Sequence, residues 1–271
     1  METPAASFRE AGSGTGVVCI HSSASSSGQW RPLMERLADR YRVVAVDLHG
    51  YGQSPAWPDG RDLWLADEVR LLEPVFRATG DRFHLVGHSY GGAVALRAAL
   101  DHPERLLSLT LFEPVLFALL MEEDPDQPAA REIASVRDDT SAAVDRGDHM
   151  LSAERFVDYW MGAGAWASTP EKRRPAVAGA MRKVKAEWHA AFTEPTPLAE
   201  FSRLAVETLF LVGSRSPESS RGVARLLTGT LPRVTTLEIE GAGHMGPVTH
   251  PEAINAAIEA HLDRIARTAR T

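Results

Sequence analysis

The chain has 271 residues, 44% of them hydrophobic, enough for one large α/β domain with an insertion or for two small domains; one core is expected. Acidic residues outnumber basic ones 36 to 29, for a net charge of −7, and no Lys/Arg cluster stands ready to neutralise phosphates, so nucleic acid is not an expected partner. The start, METPAASFREAGSG, lacks a basic segment followed by an apolar run, and nowhere do ~18 apolar residues follow one another. A cytoplasmic protein with no membrane partner, monomeric or homodimeric, is the expectation.

Short runs rich in Val, Leu and Ile recur along the chain: GVVCIH (16–21), YRVVAVD (41–47), RFHLVGH (82–88), LLSLTLFE (106–113), ETLFLVG (207–213) and VTTLEIEG (234–241). Such runs are typical of strands buried on both faces. The single cysteine, Cys19, lies in the first run, cannot form an internal disulfide and reads as a small core residue. Between the runs, GQWRPLMERLADR, LWLADEVRLLEPVFRATG, GGAVALRAALDHPERL and SSRGVARLLTGTLP carry apolar residues at helical spacing. Strand and helix in alternation predict a parallel sheet with helices on both faces. Between Glu113 and Glu207 the rhythm breaks, because no strand-like run occurs over a connection far longer than a usual crossover. That stretch is helix-prone, with turns at EEDPDQP, MGAGAW and FTEPTP, and reads as an insertion over the end of the sheet where α/β proteins bind ligands.

The strongest chemical signal is LVGHSYGGAVAL (85–96): a strand, then Gly87-His88-Ser89-Tyr90-Gly91, then a helix of small residues. It fits G-x-S-x-G in the strand–turn–helix context that the motif requires. The turn leaves room only for small neighbours, and Ser89 Oγ would project at the helix N-terminus, where free N–H groups and the dipole favour a developing oxyanion.

With HSSASSSGQW and DLHGYGQSP before this motif and GAGHMGPVTHPE after it, the chain resembles the α/β-hydrolase superfamily over nearly its whole length. The resemblance implies a mostly parallel, doubly wound sheet of about seven strands. The family's first strand would be short or absent, with ASFREAG as the next. Residues 1–113 and 201–271 would form the core, and residues 114–200 a helical cap inserted after the family's sixth strand, the one ending at Glu113.

Ser89 would be the nucleophile and His244, just past the last strand, the base that takes its proton, an imidazole having a pKa near working pH. His88, His102, His250 and His261 read as helix, turn or surface residues. The oxyanion hole would use the backbone N–H groups of Tyr90 and of Ser23, with Ser22 standing where many relatives have Gly. Asp47 and His49 read as organisers of their turn.

The catalytic acid usually follows the next strand in a Gly-x-x-Asp pattern; here the segment is Gly213-Ser214-Arg215-Ser216. A hydroxyl carries no charge to stabilise an imidazolium. Glu113, which ends the strand after the nucleophile helix, is the leading candidate, because certain haloalkane dehalogenases of this fold place their acid there. Glu218 is the next candidate, and Ser216 remains a third.

The insertion holds Phe117, Phe156, Tyr159, Trp160, Trp166 and Trp188 among its aromatics, which together suggest an apolar entrance to the site. No H-E-x-x-H spacing and no G-x-G-x-x-G after the first strand suggest a metal or a dinucleotide, so neither metal nor cofactor is expected. The reading is a serine esterase acting on small or medium apolar carboxylic esters, a small-molecule substrate. Lactone hydrolysis, carbon–carbon bond hydrolysis and perhydrolysis share the machinery and stay open. Dehalogenases and epoxide hydrolases of the family use Asp where this chain has Ser89. A ligand-binding member that has lost turnover is the rival from another class.

Overall fold

The computed structural model describes residues 5–58 and 60–268. Residues 1–4 and 269–271, the outer ends of the two expected core segments, and with them the METP start read for a leader, lie outside the described residues. The elements in chain order are β1 (Phe8–Ala11), β2 (Thr15–Ile20), α1 (Arg31–Leu37), β3 (Tyr41–Val46), α2 (Leu65–Thr79), β4 (Phe83–His88), α3 (Tyr90–Asp101) and β5 (Leu106–Phe112). Five helices follow: α4 (Ala118–Glu123), α5 (Pro128–Asp145), α6 (His149–Met161), α7 (Ala165–Ser168) and α8 (Arg174–Thr193). The chain then completes β6 (Thr208–Gly213), α9 (Glu218–Thr230), β7 (Val234–Ile239), α10 (Gly246–Thr249) and α11 (Pro251–Thr268).

Among the described residues the strands form a 7-stranded sheet in the order β1-β3-β2-β4-β5-β6-β7. The segment ASFREAG supplies β1, which runs antiparallel to β3 with Phe8 opposite Val46, while the other pairs are parallel. This is the mostly parallel, doubly wound sheet expected from the sequence. The period of two along each strand explains the layering. On β2, Val17 and Cys19 join a core with Leu33 and Leu37 of α1 and Ile254 and Ile258 of α11. Val18 and Ile20 face the other way, into a core with Leu72 and Phe76 of α2 and Val94 of α3. Cys19 is a free, buried thiol, its pKa pushed up by burial, as a core residue requires.

β7 departs from the expectation of burial on both faces. It is the edge strand, with residues 235–238 exposed, because nothing pairs beyond it in the sheet order. Prolines open several helices, including Pro128 in α5 and Pro175 in α8, where the missing N–H costs no helical hydrogen bond.

Between β5 and β6 no strand occurs among the described residues. Helices α5, α6 and α8 pack on one another, and α4 and α5 lean on α9. Two partly buried polar links join this helical segment to the sheet layers: Tyr159 OH lies 2.7 Å from Ser219 Oγ, and Lys183 Nζ donates to Glu68 Oε1 at 2.8 Å. None of the helices described is long and apolar enough to cross a membrane.

Candidate active site

Ser89 sits between β4 and α3 with φ 57° and ψ −119°, a conformation that L-residues rarely adopt and that costs ~1–3 kcal/mol unless the surroundings enforce it. Here they do. Ser89 N–H donates to Phe112 O at 2.9 Å, and Ser89 O accepts from Gly92 N at 2.9 Å and Val115 N at 3.2 Å. The flanking glycines are required by close approach. A Cβ on Gly87 would lie 2.5 Å from Gly91 O, and one on Gly91 would lie 2.4 Å from His21 O.

His244 follows β7 and is buried. Its Nε2 lies 2.8 Å from Ser89 Oγ, and its Nδ1 lies 2.6 Å from Glu113 Oε2. An ionised carboxylate only accepts, so Nδ1 carries the proton and Nε2 is left to accept from the serine hydroxyl. Ser220 Oγ is a further neighbour of Nδ1, at 3.2 Å. His88 Nε2 donates to His244 O at 2.8 Å, so His88, read from the sequence as a helix, turn or surface residue, is instead a buried strand residue bonded to the backbone of His244. Burial, and then the neighbouring His244, hold the His88 pKa well below its ordinary value and keep that ring neutral.

Glu113 is wholly buried immediately after β5, with φ 44°. Its Oε1 accepts from Gly213 N at 2.7 Å and from the Ser216 hydroxyl, leaving Oε2 for His244. The three acid candidates therefore separate by geometry. Glu113 reaches the imidazole, Ser216 donates to Glu113, and Glu218 pairs with Arg225 half-exposed on α9.

Ser23 and Tyr90 line the same cavity as Ser89. Tyr90 is the first residue of α3, so its N–H has no acceptor within the helix. The loop before it is braced by His21, whose Nδ1 lies 2.7 Å from Ser22 O and whose Nε2 accepts from Leu48 N at 3.1 Å. Ser22 needs no glycine-like backbone. The positive φ in this loop, 52°, falls on Ala24, whose N–H donates to Tyr51 OH at 3.0 Å. Asp47 organises the adjoining turn by accepting from Ser27 N at 2.6 Å and Ser7 Oγ at 2.8 Å, and His49 N–H donates to Glu68.

The cavity offers about 20 Å³ of room, enough for about one water-sized molecule. Its walls include Val115, Phe156, Trp160, Val184 and Trp188, so the helical segment closes over Ser89. Trp166, also singled out in the sequence, is buried elsewhere, with its N–H bonded to Asp158 and its ring beneath Arg174. One site residue, Glu187, escapes sequence reasoning. It lines the cavity within a buried charge cluster, whereas Trp160, one of the aromatics read from the sequence as an apolar entrance, lies over the His244 ring. No cluster of three or more His, Cys, Asp or Glu suited to a metal ion occurs among the described residues.

The arrangement is a hydrogen-bonded run from the Ser89 hydroxyl through the His244 imidazole to the Glu113 carboxylate. Comparison with known proteins identifies the fold family. The chain is 41% identical over 100 residues to pimeloyl-[acyl-carrier protein] methyl ester esterase of Aeromonas hydrophila, a stretch covering 36% of this chain and 37% of that one. It is 35% identical over 124 residues to fluoroacetate dehalogenase of a Burkholderia species, covering 44% of this chain and 40% of that one. The matches thus span less than half the length of these curated relatives. A solved thermophilic esterase from Thermogutta terrifontis superposes with a TM-score of 0.74 at 26% identity, covering 96% of this chain and 93% of that one. The sequence pattern of the alpha/beta hydrolase fold matches residues 16–251, and the chain belongs to that family.

Proposed function

We propose that the protein is a serine hydrolase that cleaves small or medium apolar carboxylic esters through an acyl-enzyme. The observation that carries this reading is the continuous hydrogen-bonded run from Ser89 through His244 to Glu113. Ser89 Oγ attacks the ester carbonyl as its proton passes to His244 Nε2, and Glu113 stabilises the imidazolium that forms. The N–H groups of Tyr90 and Ser23 hold the oxyanion. The imidazolium then protonates the departing alcohol, and the same base activates a water that releases the acid and restores Ser89. This sequence needs no metal or organic cofactor. Residues 114–200 act as the cap: with Phe156 and Trp160 against the nucleophile, esters are admitted as those side chains give way.

A fluorophosphonate probe should label the wild-type protein and fail to label Ser89→Ala, and p-nitrophenyl esters of graded chain length should be turned over. Labelling of Ser89 without turnover of any ester would instead favour a ligand-binding member of the fold, and equal labelling of both proteins would remove Ser89 from the mechanism.

A further inference from the structure

The wall of the nucleophile cavity is apolar except at Ser23, Ser89, Tyr90 and one carboxylate, Glu187 of α8. Lys183, one turn earlier on the same helix, donates to Glu68 Oε1 at 2.8 Å and to Glu187 Oε1 at 2.9 Å. The second oxygen of Glu68 accepts from His49 N at 3.0 Å. Two oxygens of this buried cluster, Glu187 Oε2 and the Tyr90 hydroxyl, have no hydrogen-bond partner among the described residues, although the hydroxyls of Ser23 and Tyr51 are close enough to influence the Glu187 carboxylate. The Glu187 side chain is only 3% exposed. Burial pushes the Glu187 carboxyl above the ordinary carboxylate range, while Lys183 and the nearby Ser23 hydroxyl oppose that rise.

An orphaned carboxylate oxygen in an apolar wall is costly, and a methionine or leucine would fill the same space without that cost. A ligand that brings a donor removes it. The ammonium of Lys183 already sits against Oε1 and over the Tyr90 ring, 5.1 Å from its centre. A second cation would meet that charge, whereas a neutral hydroxyl would not.

We propose that Glu187 Oε2 is a recognition point for a hydroxyl on the substrate, so that the preferred esters are hydroxyacyl esters. Because Glu187 and Ser89 share one very small cavity, the hydroxyl lies on the acyl carbons next to the reacting carbonyl. This rests on the reading of Ser89 as the nucleophile. Glu187 makes no contact with the reacting atoms; it selects and orients.

The test compares methyl butanoate with its 2-hydroxy and 3-hydroxy derivatives, and with 2-fluoro and 3-fluoro derivatives that match the hydroxyl in size and electron withdrawal but cannot donate. In the wild-type enzyme kcat/KM for one hydroxy ester should exceed that for its fluoro partner by at least about tenfold. That ratio should fall to about one in Glu187→Met, in which Lys183 keeps its pair with Glu68. Equal rates on the hydroxy and fluoro esters in the wild type would overturn the proposal even if the variant fails to fold. So would a ratio that survives in folded Glu187→Met, or a preference for methyl 3-aminobutanoate over the hydroxy ester. Fluorophosphonate labelling of Ser89 in the same preparations separates the two levels: labelling with flat ratios overturns the hydroxyl subsite alone, and no labelling with no turnover overturns the hydrolase reading beneath it.

Discussion

The indole of Trp160 lies 4.0 Å, centre to centre, from the imidazole of His244, with the two rings tilted by 31°. A side chain from the helical segment thus covers the proposed base directly. Trp160 also borders a larger outer cleft of about 640 Å³ that includes Arg215, Met245 and His250. Trp160 thus lines both that cleft and the cavity at Ser89, and its indole is proposed as the partition between them.

Shortening the partition should join the two spaces. Trp160→Leu is expected to raise kcat/KM for longer acyl chains relative to short ones, by ~1–3 kcal/mol at most for the contacts exchanged. Trp166→Leu, at a residue outside the cavity wall, should leave the chain-length profile in place. The check is a series of p-nitrophenyl esters from acetate to octanoate. An unchanged profile in Trp160→Leu would place the specificity elsewhere.

Glu113→Gln tests the acid. The amide N–H₂ of glutamine can donate to Nδ1, which selects the wrong imidazole tautomer and removes the charge that balances the imidazolium. kcat should drop by as much as ~10⁴-fold, the loss found for an amide in the equivalent place of a well-studied triad. Circular dichroism should show the fold retained.

Ser216 and Glu218 should behave differently from Glu113 and from each other. Ser216→Ala removes one hydrogen bond to Glu113 and is expected to cost ~1 kcal/mol, whereas Glu218→Gln loses only an exposed ion pair and should change activity little. Ser216→Asp would set a second carboxylate against buried Glu113 and should lower stability, a penalty that should shrink in the Glu113→Gln background. Denaturant titrations of the single and double variants give the coupling directly.

Buried histidines weigh on the acid side of the stability profile, His88 among them. His21, His84 and His261 each have a pKa lowered to about 4, burial being the largest cause in every case. The unfolded chain binds these protons near pH 6.5, so the folded state is favoured in full above that value. Stability is lost as pH falls from about 6.5 towards 4, on the order of 3 kcal/mol for each ring. Urea midpoints measured at pH 7.5, 6 and 5 should decline in that order, and a folded His84→Gln variant should show a shallower decline.

The sheet and the Ser89 turn were legible in the sequence because each rests on a local pattern, and the resemblance to the α/β-hydrolases then pointed to His244 and Glu113. An apolar strand stops at a Gly-x-Ser-x-Gly turn, a histidine follows the last strand, and a carboxylate ends the strand after the nucleophile helix. Glu187 was not legible. Lys183 and Glu187 stand four apart on a helix, a pairing that ordinarily marks a solvated face. Only the tertiary packing of α8, which brings Lys183 to Glu68 of α2, turns that face inward. The exposure of β7 was hidden for the converse reason. Its apolar residues resemble those of an interior strand, and its place at the edge follows from the pairing order alone.

The nucleophile and the proposed acid are carried by neighbouring strands whose ends are knit together, Ser89 N–H donating to Phe112 O and Val115 N–H to Ser89 O. His244 is delivered from the turn after β7, the strand with solvent on its open side. The relay is therefore expected to span two regions of unequal opening free energy, with the base in the one that opens more readily. Amides of β7 and of residues 240–246 should exchange with deuterium faster than those of β4 and β5. In mild urea, turnover should decline ahead of global unfolding, as the imidazole undocks from a serine and a carboxylate still locked in register. That makes the C-terminal edge of the sheet the place where the working lifetime of the site is set.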